Sequence, residues 1–512
     1  MTSVIIIGAG FGGMGVAIEL LEHGSADLLI LERAAEVGGV WRDNAYPAAG
    51  VDTPSPLYSY SFAPKTDWTF RFAMRDEIFG YAQDVAERYG LRERIRFGSD
   101  VVSANWDEHG LQWSVTTADG AEFRADVVVS AVGQLSQPAM PAIDGIDEFD
   151  GTSVHSARWD PDIEIADRRV AVIGTGASAA QLIPGIAPDV GELTVFQRHA
   201  PWVFRKMDVE YPRWRKAAFK YLRGFQLGER LFFFAMLDTA SLGLVDVPAV
   251  RRPLAWLSRR HLRRQVPDPR LREKVTPDYE VGCKRVVFSD AYLPALGRDN
   301  VSVVTEAIDA VVPQGVRTAD GTVHEVDVIV YATGFRATDF LWSIAVTGRG
   351  GRTLADVWDA SGGATGYLGM AVPNFPNLFM VVGPNTSLSA GSLIYVIESQ
   401  ARYIRQAVEL IGREPGRALE VSESAATAFD DEMQQKLRRS VLSRCASWYR
   451  HPNGRVTSSW PDAVFAYRRR TRRLDPSAFT FVSSVRGTET PDDPESVDST
   501  GSVSAPGGEP IR

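Results

Sequence analysis

Gly8-Ala-Gly10-Phe-Gly-Gly13 and Gly174-Thr175-Gly176-Ala-Ser178-Ala179 have the spacing that holds a pyrophosphate. In such a loop the backbone N–H groups at a helix N-terminus approach the anion, and a Cβ at the glycines would hold it off. Each loop follows an apolar run that reads as a strand, residues 4–7 and 170–173, and opens a helical pattern, which is the context the motif needs. The two units close differently. The strand over residues 28–31 ends in Glu32, 24 positions after Gly8, where a carboxylate accepts hydrogen bonds from an adenosine ribose. The strand over 193–196 ends in Gln197 and Arg198. A guanidinium there pairs with a ribose 2′-phosphate that a carboxylate would repel. The spacing therefore predicts two dinucleotides, FAD on the first loop and NADPH on the second, the pair that passes a hydride from nicotinamide to flavin.

These loops need two parallel sheets to hold them. Residues 127–133 form an apolar run ending in Gly133, with Pro138 and Pro141 after it, and residues 328–335 repeat that strand-then-glycine form. The second nucleotide unit lies between these two hinges, so the expected class is α/β with two Rossmann-like domains, one inserted in the other. The FAD domain takes residues 1–139 and 331–482, and the NADPH domain 140–330 with a helical insert over about 205–280. The tail, 483–512, is almost without apolar residues and is expected to be disordered.

A net charge of −9 excludes a protein built to bind nucleic acid, which draws on a basic field. Residues 231–237 are apolar, but Asp238 interrupts them far short of a membrane span, so they read as a core or channel-facing helix with no stable membrane insertion. Arg259, Arg260, Arg263 and Arg264 read as a solvated helix face. Trp202, Phe204, Phe232, Phe233 and Phe234 read by default as core, with a cavity lining as the second reading. Cys283 and Cys445 are far apart and lack metal-ligand spacing, so both read as small buried hydrophobes, without a disulfide and without metal. With no signal peptide in view, the expected location is the cytoplasm. The oligomeric state is open.

The stretch Phe149-Asp-Gly151-Thr-Ser-Val-His155-Ser-Ala-Arg-Trp159-Asp160, just ahead of the second glycine loop, resembles the signature of type I Baeyer-Villiger monooxygenases. Other segments are similar in family order over residues 3–480: Gly38-Gly-Val40-Trp41, Tyr46-Pro47, Phe196-Gln-Arg198, Gly282-Cys-Lys284-Arg285 and Gly383-Pro-Asn385 among them. The resemblance implies an enzyme in which NADPH reduces FAD, dioxygen adds to the flavin C4a carbon, and the peroxide anion attacks a ketone to give an ester or lactone, with sulfides as further acceptors. It implies Arg285 as the guanidinium that shelters this anion, Asp52 as the carboxylate behind it, and Lys284 as a second contact to the 2′-phosphate beside Arg198. It also implies that Val40, Trp41, Asp52, Tyr58, Val101 and Leu393 line FAD.

The resemblance is not uniform. Relatives often carry Tyr-Pro-Gly-Ala-Arg-x-Asp where this chain has Tyr46-Pro-Ala48-Ala49-Gly50-Val-Asp52, and often Thr at His199. Local contacts to the cofactors are expected to differ there. His155 falls near the interdomain linker and is expected to hold linker geometry or take part in domain motion rather than transfer a proton, with a satisfied structural histidine as the plainer reading. By residue type alone Arg285 reads first as a surface residue at the start of the strand over 286–288, and only the resemblance reverses that. Asp52 also fits a cap before Pro54, and Trp41 and Tyr58 have core packing as their second reading. Three other functions compete: N- or S-oxygenation by a hydroperoxyflavin, whose enzymes generally lack the full signature; disulfide reduction, which needs a cysteine pair that the spacing argues against; and a non-enzymatic flavoprotein sensor, which would bind both cofactors but form no product under dioxygen.

Overall fold

The computed structural model describes residues 1–484 other than 246, 342, 446, 448, 449 and 452. All but two residues of the tail expected to be disordered therefore lie outside the described residues. In chain order the elements that position the site begin with β1 (Thr2–Ile7), α1 (Phe11–Glu22), β2 (Ala26–Leu31), α2 (Val40–Asp43), β3 (Ile95–Arg96) and β4 (Val127–Ser130). There follow β5 (Thr152–His155), β6 (Arg169–Ile173), α3 (Ala177–Ile186), β7 (Glu192–Phe196) and the helices α4 (Arg213–Tyr221), α5 (Arg223–Val245) and α6 (Pro248–Gln265). Then come β8 (Val301–Val304), β9 (Val328–Tyr331), β10 (Leu378–Met380) and α7 (Leu393–Gly412).

Two five-stranded sheets carry the two glycine loops, in the orders β10-β4-β1-β2-β3 and β8-β7-β6-β9-β5. Every pairing in them is parallel. Parallel strands are covered on both faces, which is why β1 and β4 are unbroken runs of Val and Ile rather than alternating ones. Val4, Ile5, Ile6, Val127, Val128 and Val129 are all buried, and full burial of such a side chain stabilises by about 1.5–3 kcal/mol. The in-register ends Ile7, Leu31 and Ser130 of the first sheet, and Ile173 and Tyr331 of the second, bring the loops that follow them to one edge of each sheet. That carboxyl edge is where open α/β sheets bind ligands.

The two units interlock. Tyr46 and Ala49, from the loop after α2, are buried in the core of the second sheet, while Phe219 and Val245 from the insert are buried in the core of the first. Gln226 donates to the Lys65 carbonyl at 2.7 Å and Arg230 to the Pro56 carbonyl at 2.7 Å, so the insert lies across the FAD unit.

The apolar run 231–237 departs from expectation. Phe233 and Leu237 are buried, but Leu231 and Phe232 are 57% and 64% exposed. An apolar run without helical periodicity contains no signal for which of its faces turns outward.

Candidate active site

Both glycine loops open helices whose first N–H groups have no side-chain cap: Gly10 before α1 and Gly176 before α3. Uncapped donors at the N-terminus of a helix are a ready anion site, so each loop fits a pyrophosphate. The glycines are also needed for packing. A Cβ on Gly13 would lie 1.9 Å from the Gly8 carbonyl oxygen, and one on Gly174, whose φ is +117°, 2.4 Å from that of Ala332. Ala179, at the third position of the second loop, is fully buried and packs the helix on its sheet.

Glu32 is buried at the end of β2, where it accepts from the backbone N–H of Ala9 at 2.7 Å and of Ala34 at 3.0 Å, and pairs with Arg42 at 3.1 Å. It thus ties the first loop to α2, which carries Val40 and Trp41. Val101 is buried two residues after Ser99, whose N–H donates to the Glu32 carbonyl at 2.9 Å. Leu393 begins α7, and Thr53 donates to the Gly391 carbonyl just ahead of it at 3.0 Å. The expected FAD-lining residues thereby sit around the carboxyl edge of the first sheet.

At the second loop Arg198 and His199 are exposed after β7, and the Thr175 hydroxyl donates to the His199 carbonyl at 3.0 Å. Lys284 joins them from a distant segment. Burial first, and then the charge of Arg198, hold its ammonium below the usual lysine value, with Asp278 opposing. His199 is lowered by burial, Lys284 and Arg198, again with Asp278 opposing at 3.8 Å. Cations placed close enough to repel one another are suited to a multiply charged anion, which removes the repulsion.

One residue further on, Arg285 reaches the first unit. Its charge acts on Tyr58 and on Asp52, and it lines a small cavity with Lys284, Leu244, Gly282, Ser387 and Leu388. Tyr58 is raised to about 12 by burial, opposed by the hydrogen bond from Trp41 Nε1 at 3.0 Å and by Arg285. The Asp52 carboxyl is raised by burial, opposed by Lys206, Arg285 and the amide of Gln181. Among the described residues no ion pair joins Asp52 to Arg285, although the Arg285 charge acts on it. The direct partner is Gln181, at 3.2 Å.

Gln181 and Lys206 are contributors that sequence reasoning missed. From α3 of the second unit, Gln181 accepts from Tyr46 Oη at 3.0 Å and from the Gly50 N–H at 3.2 Å, and donates to the Gly50 carbonyl at 2.8 Å. One side chain thus orders the loop that ends at Asp52. Ser178 on the same helix also bonds Tyr46. The only Gln in a helix whose other residues past Ser178 are apolar or Gly was the available signal.

His155 ends β5 and its Nδ1 accepts from the Ala157 N–H at 3.1 Å. Its ring meets Phe335 edge-on at 6.1 Å, and burial lowers its pKa. It therefore lies against residues 334 and 335, after β9. The two cysteines correct the sequence reading outright: Cys283 and Cys445 are disulfide-bonded, with their Cα atoms 6.0 Å apart. Two cysteines 162 positions apart give no sequence signal of proximity.

Residues 5–221 match a family profile described as pyridine nucleotide-disulphide oxidoreductase. That stretch contains neither cysteine, so the match concerns nucleotide binding. A Baeyer-Villiger monooxygenase of Pseudomonas aeruginosa is 41% identical over 487 residues, 94% of this chain and 92% of the relative. The closed crystal structure of cyclohexanone monooxygenase superposes with a TM-score of 0.84 at 29% identity, covering 94% of this chain and 99% of the other. A crystal structure of OTEMO in complex with FAD and NADP gives 0.84 at 28%, with the same coverage. With that identity sustained along nearly the full length of both sequences, the chain belongs to the Baeyer-Villiger monooxygenases.

Proposed function

We propose that the chain is an FAD-containing monooxygenase that consumes NADPH and dioxygen and converts a small ketone to an ester or lactone, with Arg285 as its catalytic guanidinium and sulfides as secondary acceptors. The observation that carries this is the position of residues 284 and 285. Lys284 faces Arg198 at the NADPH loop, while Arg285 acts on Asp52 and Tyr58 of the FAD unit. Two adjacent residues of one strap therefore reach the second glycine loop and the FAD unit, an arrangement that supports hydride transfer between cofactors held on the two loops.

Bound flavin supplies the activated oxygen; the protein supplies binding, orientation and charge. Arg198 and Lys284 would hold the 2′-phosphate, and the two uncapped helix N-termini would hold the pyrophosphates. Arg285 places a permanent positive charge where negative charge develops, which stabilises most when the donor is already oriented and water is excluded. Asp52 is a positioning residue: its carboxylate attracts both Lys206 and Arg285 and is itself fixed by Gln181. Heteroatom oxygenation as the main activity needs no such cation, so Arg285 favours ketones. Work in the cytoplasm, where NADPH is regenerated, fits this chemistry.

The test is Arg285→Ala. The variant is expected to bind FAD and oxidise NADPH while forming no ester from a panel of linear, cyclic and aryl ketones. Ester formation at the wild-type rate in that variant removes Arg285 from the reaction.

A further inference from the structure

We propose that helices α4–α6 form a surface that binds, without crossing, a lipid bilayer containing anionic headgroups. Residues 213–264 hold 12 Lys and Arg against three Asp and Glu, a formal charge of +9 within a chain whose net charge is −9. Charge this strongly segregated is a field for an anionic partner. Arg252, Arg260, Arg263 and Arg264 are exposed, and among the described residues none of them forms an ion pair with an acid.

Part of the apolar surface of the same helices lies on the outside, while Phe219, Phe233, Leu237, Leu244 and Leu262 are buried. Exposed positions along α5 recur as 224–225, 227–228, 231–232, 235, 239 and 242, and along α6 as 248–249, 252–253, 256–257, 259–260 and 263–264. Each set follows the 3.6-residue period of a single helix face. The α5 stripe presents Phe225, Leu227, Leu231 and Phe232, and Trp214 of α4 packs its ring 6.5 Å from that of Phe225. The α6 stripe presents Trp256, 59% exposed, with Leu257 beside it and the Arg260 guanidinium 5.5 Å from the Trp256 ring.

Exposed Trp, Phe and Leu interleaved with arginine is the composition of a helix lying in a bilayer interface, its apolar side chains among the acyl carbons and its cations on phosphates. An exposed apolar stripe of this extent is unfavourable in water unless something covers it. Among the described residues no single helix is long and apolar enough to cross a membrane, and α5 and α6 meet at a bend of 102°. That angle suits lying along a surface. The same α5 carries Leu244 to the cavity beside Arg285, so a bilayer seated on its outer stripe would lie against the helix that borders the proposed active site.

The test is co-sedimentation of the full-length, flavin-loaded protein with vesicles of phosphatidylcholine alone or of phosphatidylcholine with phosphatidylglycerol. Binding is expected only to the anionic vesicles, weakening as salt is raised. Each cation removed should lower the partition coefficient about fivefold, so Arg260→Glu with Arg264→Glu should abolish binding. Phe232→Ser with Trp256→Ser should weaken it while leaving NADPH oxidation without vesicles unchanged, which shows that the fold and the active site are intact. Three outcomes overturn the proposal. These are no binding to anionic vesicles, equal binding by both variants, or a wild-type dimer in sedimentation velocity that Phe232→Ser dissociates, which would assign the stripe to a second copy of the chain. Because the readout is binding, it stands whether or not the ketone reading holds.

Discussion

Burial holds the Asp52 carboxyl above its ordinary value, while Lys206, then Arg285, then the Gln181 amide pull it back. A carboxyl raised in the folded state binds its proton more tightly there than in the unfolded chain. Its contribution to stability is therefore present at low pH and lost as pH rises from the unfolded value through the folded one. At neutral pH the charged form is a net burden on the fold, retained because it attracts two cations toward the site. Asp52→Asn should accordingly raise the denaturation midpoint at neutral pH and lower the rate of ester formation about 100-fold, the usual cost of a small misplacement. The wild-type rate should fall on the acid side above the ordinary carboxylate range, and the variant should lack that limb. An unchanged pH profile in the variant would remove Asp52 from the positioning of Arg285. Four residues earlier, Ala48 adopts φ +60° where relatives often carry glycine. Its Cβ is strained in that left-handed conformation, so Ala48→Gly should stabilise by about 0.5–1 kcal/mol, read from the denaturant midpoint.

At the scale of elements, what the sequence made legible was local. Each glycine loop, its strand and its helix lie within some 30 residues, so spacing alone placed Gly8, Gly174, Glu32 and Arg198 on two parallel sheets. Lys284 and Arg285 were not legible in that way. They lie about 90 residues beyond Arg198 on a segment with little regular structure, and only resemblance singled them out. The structure supplies a physical reason to join Lys284 to Arg198, because the Arg198 charge lowers the Lys284 ammonium. Removing it should cost roughly the 1.5–3 kcal/mol of a charged hydrogen bond, a loss of about 10- to 100-fold in preference for NADPH over NADH. The measurement is the ratio of kcat/KM for the two coenzymes in Lys284→Ala. Binding of 2′,5′-ADP should also weaken as pH rises through the lowered Lys284 value, and Lys284→Arg should flatten that dependence. Gln181 was missed for the opposite reason: its bonds run to the 46–52 loop of the other unit, and no periodicity records a contact across 130 positions. The outward turn of Leu231 and Phe232 was equally hidden, since an unbroken apolar run has no inside or outside until the helices beside it are placed.

For the molecule as a whole, the strap that carries Lys284 and Arg285 is tied at its base to the segment after residue 439 of the FAD unit. Cys283 is bonded to Cys445, and Glu280 pairs with Arg251 at 3.2 Å and with Arg444 at 2.9 Å. Glu280 and Arg444 are half-exposed, so the pairs that Glu280 makes contribute little, about 0–1 kcal/mol each. The covalent tie closes a loop of 162 positions, for which the loss of unfolded-chain entropy is worth about 4–5 kcal/mol at most. The crosslink therefore dominates the anchoring of the strap. Cys445→Ser should lower the urea midpoint markedly while leaving FAD bound. A dithiol reductant should bring the wild type down to the variant's midpoint and leave the variant where it is. Unfolded without reductant, the wild-type chain should yield no titratable thiol, and with reductant, two. If two thiols titrate before reduction, the strap rests on the Glu280 pairs alone, and Cys445→Ser should then leave the midpoint within a few tenths of a kcal/mol of wild type.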